Sequence, residues 1–496
     1  MDANMKKSLI LGAALGAVLF TTPLASAQTR WPVFSGKSSS QNQVLTVDPN
    51  RGVLTLAPLL ERVTPAVVDI RVSSTVKRPR IQFGGNDFGD DFLERFFGQR
   101  GLPRGDQDEG EQFMQSAGSG VIINAAKGYV LTNHHVVDNA DKITIVLKDK
   151  REATAKVIGS DEATDIAIVQ IDLKNLVDVP MANSDQVKVG DYVIAIGNAF
   201  GIGQTVTTGI VSALGRSTGG RGNAYQDYIQ TDAAINKGNS GGALLNSKGE
   251  LIGINAAILS RSGGSNGIGF AVPTNMINGV MNQLIAYGEV HRGRIGVTIQ
   301  NISQEMKEAM NLPSRNGALV SNVLEGSPAE KAGIKPGDVI VGFNGDDIFD
   351  SNDIRNAVGF VERGKSATIT YLRNGRRITK TIYVNMAFDD EETGDTPSVS
   401  SSSDPASFEA FDGATFTNIP GELDPQGGDD GVIVTKLKRG SNAWQAGLRT
   451  GDIIRSVNST DIKNLEDFKR AIKGKKKAVA LSVERGRNRI FIAVKP

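Results

Sequence analysis

The sequence contains no cysteine and is poor in histidine, with three histidines among 496 residues. Without a thiol the chain can form neither a disulfide framework nor a thiolate nucleophile, and a zinc site built on cysteine is excluded. Any imidazole base must be His134, His135 or His291. Two adjacent histidines also have the wrong spacing to share one face of a helix. We therefore expect neither a metal site nor a cofactor.

An excess of charge of one sign is also absent, because 55 basic residues stand against 54 acidic ones. This balance argues against a dominant nucleic-acid-binding surface. The hydrophobic fraction of 39% suffices for several cores, and the 57 glycines favour β structure with many turns. The length predicts roughly three domains of about 150 residues each.

A hydrophobic run long enough to span a bilayer is missing as well. The apolar stretch of residues 8–20 follows Lys6 and Lys7, and the small residues Ala25–Ala27 come after it. This order is typical of a cleavable export signal, here residues 1–27. A retained N-terminal anchor is the alternative, although the run is short of the roughly 20 residues that a spanning helix needs. We expect no integral membrane segment after removal of the signal.

The middle of the chain has the pattern of a mainly β domain. After a polar tether over residues 28–54, residues 55–286 hold many short runs of Val, Ile and Thr bounded by turn residues. This pattern predicts an antiparallel sandwich or barrel. Residues 75–116 interrupt it with a long stretch rich in Gly, Asp and Phe, which we interpret as a mobile surface loop or a partly disordered one.

The last 200 residues contain an internal repeat. Residues 326–348 match residues 440–462 at 11 of 23 positions, with a constant offset of 114. A period this long indicates two tandem globular modules, which we place at residues 287–386 and 408–496. An acidic, Ser-rich stretch at 387–407 lies between them and predicts a flexible linker. In the first module, Ser327 is a natural N-cap for a short helix that starts at Pro328 and ends at Gly333.

One stretch of the β-rich region, NKGNSGGAL, places a single serine, Ser240, among three glycines. It is either a tight turn or a nucleophile loop with bare backbone N–H groups beside the hydroxyl. His135, Asp165 and Ser240 follow one another in the chain order of a chymotrypsin-type triad. In that case the histidine is the base, Asp165 fixes its tautomer, and the Gly238–Ser240 backbone, with Asn239 between them, binds the oxyanion.

The motifs LTNHHVV, TDIAIVQ and GNSGGALLN together resemble the HtrA/DegP family of exported serine proteases. The resemblance covers the mature chain and implies a chymotrypsin-like double β-barrel followed by two PDZ domains. It assigns the catalytic base to His135, because family members place that histidine directly before two valines. His134 departs from the family pattern, which usually has Asn there. The resemblance also implies an apolar pocket that selects small aliphatic residues such as Val; its lining residues are Ile235, Ala256, Ala257, Ile258, Leu259 and Ile268.

PDZ domains capture the C-terminus of an extended peptide on a strand edge. The resemblance places this site of the first module at Ile295, Gly296, Val297 and Thr298. The second module's counterpart, ATFTN at residues 414–418, lacks the glycine and is a weaker match. The alternative for either repeat is a scaffold that only spaces or oligomerises the protease.

The resemblance further implies an ATP-independent endopeptidase of the bacterial periplasm that degrades unfolded proteins. Its partners would be such substrates, C-terminal peptides, and further copies of the chain in trimers or multiples of trimers. Two other classes stay open at this point. One is a chaperone or adaptor that uses its PDZ modules and leaves the protease site idle. The other is an esterase or lipase, which is disfavoured because Ser240 does not lie in a G-x-S-x-G elbow.

Overall fold

The structure is a computed structural model that describes most of the chain from residue 46 onward. The described residues are 46–48, 51–76, 112–198, 203–218, 225–258, 264–384, 406–408, 411, 413–419, 430–458, 460–474, 478–486 and 488–495. The predicted signal and most of the predicted insertion at 75–116 lie outside these residues.

The first half of the β-rich region is a closed antiparallel barrel. Its core is built from β-branched residues such as Ile70, Ile145 and Ile168, none of which is exposed to solvent. In spatial order the barrel runs β3-β4-β5-β8-β7-β6. The elements up to its end are β1 (Thr46–Val47), β2 (Leu54–Thr55), α1 (Ala57–Val63), β3 (Val67–Val76), β4 (Gln112–Asn124), β5 (Tyr129–Thr132), α2 (His134–Val137), β6 (Lys142–Val146), β7 (Glu152–Asp161) and β8 (Ile166–Gln170).

A second closed barrel follows, in the order β10-β11-β14-β13-β12-β9. Its strands are β9 (Tyr192–Gly197), β10 (Thr205–Arg216), β11 (Tyr228–Thr231), β12 (Ala243–Asn246), β13 (Leu251–Ile258) and β14 (Gly269–Pro273). The predicted double β-barrel is thereby confirmed. Helix α3 (Thr274–Tyr287) then packs against strands of both barrels and ends at Gly288, whose φ of 80° is left-handed.

The two repeats are antiparallel sheets with the same strand order, except that the second sheet has one additional strand at its edge. The first contains β15 (Val297–Asn301), α4 (Gln304–Ala309), β16 (Ala318–Val323), α5 (Pro328–Lys331), β17 (Val339–Phe343), β18 (Asp346–Asp347), α6 (Ser351–Gly359), β19 (Ser366–Arg373) and β20 (Arg376–Tyr383). The second contains β21 (Ala406–Ser407), β22 (Ala414–Asn418), β23 (Val432–Leu437), α7 (Asn442–Gln445), β24 (Ile453–Val457), β25 (Thr460–Asp461), α8 (Leu465–Ile472), β26 (Val479–Arg485) and β27 (Asn488–Val494).

The cap that the sequence indicates for α5 is present. The Ser327 hydroxyl accepts a hydrogen bond from the Glu330 N–H at 3.2 Å, Pro328 occupies the first turn, and Gly333 follows with a φ of 79°. The Glu330 carboxylate accepts from the N–H of Gly326 at 2.7 Å. The equivalent Ser441 caps α7 in the same way. Within the described residues, no helix is long and apolar enough to cross a membrane.

Candidate active site

His135 and Asp165 come together where α2 meets the turn before β8. Both carboxylate oxygens of Asp165 lie within 2.8–2.9 Å of His135 Nδ1, and one of them also accepts the His135 backbone N–H at 3.1 Å. A carboxylate at Nδ1 accepts the proton of that nitrogen, which leaves Nε2 as the basic nitrogen of the ring. The two hydrogen-bonded side chains are largely shielded from solvent, with exposures of 13% for His135 and 23% for Asp165.

The Asp165 backbone is held in an unusual conformation. Its φ of 57° lies in the left-handed region, which a non-glycine residue adopts at a cost. The Asn133 side chain donates to the Asp165 carbonyl at 2.9 Å, and the Asp165 N–H donates to the Glu162 carbonyl. These bonds hold the backbone of Asp165 in this conformation.

His134 faces a different direction. Its Nε2 lies 3.9 Å from the carboxylate of Asp138, one helical turn further on. Its Nδ1 is buried and has no hydrogen-bond partner within the described part of the chain. Of the two adjacent histidines, His135 is therefore the one that the fold pairs with Asp165.

Ser240 lies in the turn before β12 and is 2% exposed. Its hydroxyl donates to the carbonyl of Ala256 on β13 at 3.3 Å, and its own carbonyl accepts the N–H of Ser119 at 2.8 Å. Ser119 belongs to β4 of the first barrel, so the serine loop is pinned across the junction of the two barrels. At Gly241, with a φ of 82°, a Cβ would lie 2.0 Å from the Ser119 carbonyl oxygen. The glycine is thus required by this close approach.

A second contact fixes the loop on its other side. The Ser119 hydroxyl donates to the Gly238 carbonyl at 2.7 Å and accepts the N–H of Asn198 at 2.8 Å. Ser119 is fully buried, so both bonds replace contacts with water. The sequence analysis did not single out Ser119, because a serine in an apolar strand carries no local signal of a loop that arrives from 119 residues further along the chain.

The three predicted oxyanion residues differ in how their N–H groups are used. The Asn239 N–H donates to the Asn236 carbonyl at 3.0 Å, and its side chain is buried. The N–H groups of Gly238 and Ser240 have no acceptor among the described residues. The N–H groups of Gly238 and of Ser240 itself are therefore available to stabilise a developing negative charge.

The described residues of the predicted pocket divide between two hydrophobic clusters. Ile235 and Ile258 are fully buried in the core of the second barrel, whereas Ala257 and Ile268 are only partly buried. Ala256 supplies the carbonyl that Ser240 contacts. Leu259 lies outside the described residues.

In the first PDZ module, Ile295 is a core residue, and its carbonyl accepts the Ala329 N–H at 2.9 Å. Gly296 has a φ of 77°, and a Cβ there would approach that of Ser327 to 2.3 Å. Val297 and Thr298 begin β15, which is the end strand of its sheet. The loop therefore presents backbone rather than side chains at the start of an open strand edge.

The sequence analysis missed an interdomain ion pair between Arg292 and Asp161, four residues before Asp165. Both terminal nitrogens of Arg292 bind the Asp161 carboxylate, at 2.8 and 2.5 Å, and the guanidinium lies 4.4 Å from the ring centroid of Tyr225. Burial alone would raise the pKa of Asp161, but the Arg292 charge and hydrogen bonds from Thr164 lower it below its usual range. Arg292 lies near the start of the first repeat module, so the pair ties that module to the segment that leads to Asp165.

The pKa of Asp227, two residues after Tyr225 in the chain, is shifted in the opposite direction. Burial and the neighbouring carboxylates of Asp353, Asp185 and Asp350 raise its pKa to about 6. Tyr228, next in the chain, also has a raised pKa, because it is buried and close to the negative charge of Asp165.

The fold and the site define a trypsin-like serine protease that carries two PDZ domains. Residues 118–254 match the trypsin-like peptidase domain, and residues 293–384 and 433–485 each match a PDZ domain. The chain is 44% identical to the periplasmic serine endoprotease DegP of Escherichia coli K12 over 88% of this chain and 91% of that protein. It is 41% identical to the periplasmic pH-dependent serine endoprotease DegQ of the same organism, over 99% and 100% of the two chains.

Among solved structures, the HtrA-type protease AlgW with a decapeptide matches at 41% identity and a TM-score of 0.52. The match covers 67% of this chain and 99% of that one. The chain therefore belongs to the HtrA family of DegP- and DegQ-type serine endoproteases, and it is a serine endopeptidase. The resemblance drawn from the three sequence motifs is confirmed, and the protease interpretation is favoured over the adaptor.

Proposed function

We propose that Ser240, His135 and Asp165 are the catalytic triad of this endopeptidase. The proposal rests on the hydrogen bond between the Asp165 carboxylate and His135 Nδ1, together with the bonds that hold the Ser240 loop to Ser119 of β4. In the reaction, the Ser240 hydroxyl turns from the Ala256 carbonyl toward Nε2, loses its proton to that nitrogen and attacks the substrate carbonyl carbon. The N–H groups of Gly238 and Ser240 stabilise the oxyanion.

The remaining steps follow from the same groups. The imidazolium returns its proton to the leaving amine, which leaves an acyl ester on Ser240. A water molecule then gives its proton to His135, attacks the ester carbonyl, and releases the new carboxylic acid as the serine is reprotonated. Asp165 stabilises the imidazolium in both halves.

The substrates that we propose are unfolded exported proteins cut after small aliphatic residues. The preference is supported by the apolar character of the side chains that the sequence assigns to the pocket, which are Ile235, Ala256, Ala257, Ile258, Leu259 and Ile268. The first PDZ module would capture substrate C-termini, with the backbone of Gly296 and Val297 binding the carboxylate and the edge of β15 pairing with the peptide. We place the enzyme in the periplasm after removal of residues 1–27, working as a trimer or a multiple of trimers.

The test compares wild type and Ser240→Ala on an unfolded protein, with cleavage and aggregation followed in parallel. We expect cleavage by the wild type alone, and suppression of aggregation by both. Ser247→Ala, in the β12–β13 turn, is the matched control and should cleave normally. Cleavage that persists in Ser240→Ala would refute the triad. If the wild type suppresses aggregation but never cleaves, even with an activating C-terminal peptide, the protein acts as a chaperone or adaptor and not as a protease.

A further inference from the structure

The peptide grooves of the two PDZ modules are built alike. Gly413 precedes β22 as Gly296 precedes β15, and both have a φ of 77°. The carbonyl of Gly413 accepts the Lys438 N–H at 2.7 Å, just as the carbonyl of Gly296 accepts that of Leu324 at 2.9 Å. The second module thus has the loop glycine, which lies directly before the ATFTN segment and not within it.

The far ends of the two grooves also correspond. The Asn301 side chain at the end of β15 accepts the first N–H of α6, from Ser351, at 2.8 Å. The Asn418 side chain at the end of β22 accepts the first N–H of α8, from Leu465, at 2.7 Å. Each module therefore has a strand and a helix held as the two walls of a PDZ groove.

The two grooves differ in whether another strand pairs with the outer edge of the groove strand. In the first sheet β15 is the terminal strand, whereas in the second β21 pairs antiparallel with the outer edge of β22. Ala406 lies opposite Phe416, and Ser407 lies opposite Thr415. This pairing is the β-augmentation by which PDZ domains bind peptides, made here by the protein's own chain.

The residue after β21 fills the space between strand and helix. The Phe408 ring lies 5.7 Å from that of Phe416 on β22 and 5.5 Å, edge-on, from that of Phe468 on α8. The antiparallel direction carries Phe408 toward Gly413, at the end of the groove where a captured C-terminal residue would lie. In the first module, isoleucines occupy the two positions equivalent to Phe416 and Phe468, Ile299 and Ile354.

We propose that Ala406–Phe408 is a tethered ligand that occupies the groove of the second PDZ domain. The outside ligand that displaces it is the C-terminus of an extended chain ending in a large aromatic residue, because the groove is lined by aromatic rings. A ligand joined by a few residues acts at an effective concentration of about 1 mM, so weak outside peptides are excluded until their concentration is high.

The experiment uses the full chain with Ser240→Ala, so its outcome does not depend on hydrolysis or on the proposed triad. The probe is a synthetic peptide ending in Ala-Ser-Phe with a free carboxylate; the same peptide amidated is the control. Hydrogen–deuterium exchange of residues 414–418 reports on the second groove alone, because a peptide bound to the first module does not cover β22.

With Phe408 intact, we expect protected β22 amides and little response to the probe. Phe408→Ala should expose these amides, and the peptide should protect them again at a concentration on the order of tenfold to hundredfold lower than in its parent. Adding Gly413→Val should abolish this response, since its side chain would collide with Lys438 and Ser441. Phe349→Ala, which removes an exposed phenylalanine of the first module, is the matched control.

A second variant guards against loss of folding, because Phe408 packs on the core of its module. Ala406→Pro leaves that core intact but removes an N–H from the pairing strand. It should expose β22 in the same way. Equal exchange of β22 in the parent and in both variants, or equal protection by the probe in all three, would overturn the proposal.

Discussion

The Ser119 hydroxyl should be essential for catalysis although it is not part of the triad. It satisfies the Gly238 carbonyl at 2.7 Å and the Asn198 N–H at 2.8 Å inside the protein. Ser119→Ala leaves both backbone groups buried without these partners, at a cost of about 1–3 kcal/mol each, so the protease domain should lose about 2–6 kcal/mol of stability.

The same substitution frees the peptide unit that lies between the two oxyanion donors, the N–H groups of Gly238 and Ser240. A displacement of about 1 Å at a reacting centre can cost on the order of 100-fold in rate. Because the loss falls on transition-state geometry, we expect kcat to fall on that scale while KM changes little. The assays are steady-state hydrolysis of a chromogenic peptide and the rate of Ser240 labelling by a fluorophosphonate.

Ser321→Ala is the matched control. Ser321 is a buried serine of the first PDZ domain whose hydroxyl donates to the Thr298 carbonyl at 3.1 Å. Its loss should lower stability without lowering kcat. If Ser119→Ala is destabilised but keeps the wild-type kcat and labelling rate, Ser119 is only structural and the reasoning fails.

Three further predictions concern the carboxylates around the site. Asp165→Asn should lower kcat by roughly 10⁴-fold, because an amide stabilises the wrong imidazole tautomer; kcat close to wild type would contradict this. Arg292→Ala should cost about 3–5 kcal/mol by leaving Asp161 buried and unpaired, and the double variant with Asp161→Asn should recover part of this loss in thermal unfolding. Asp227→Asn should raise the unfolding temperature at pH 8 but not at pH 4. The pKa of Asp227 is higher in the folded state than in the unfolded state, so the wild type loses stability as the pH rises through about 6. Equal gains in unfolding temperature at both pH values would argue against this cause.

Local chemistry explains which parts of this molecule could be predicted from the sequence. The two barrels follow from short runs of β-branched residues, and the helix at Pro328 follows from a serine cap and a glycine stop. The chain order of His135, Asp165 and Ser240 indicated the reaction class. Ser119 and Arg292 could not be found in this way, because their roles depend on which segments the closed barrels bring together.

The second groove shows where an alignment of repeats goes wrong. The offset of 114 holds from Gly317 and Gly431 onward, but the groove strands correspond at an offset of 117, since Gly296 is equivalent to Gly413. The connection between β15 and β16 in the first module is three residues longer than that between β22 and β23, and a connection of this kind can lengthen without disturbing the sheet. At this point both modules have a glycine with a left-handed backbone. A Cβ at Gly296 would come too close to Ser327, and one at Gly413 would come too close to Ser441. A backbone conformation thus identifies the equivalent glycine that side-chain identity does not.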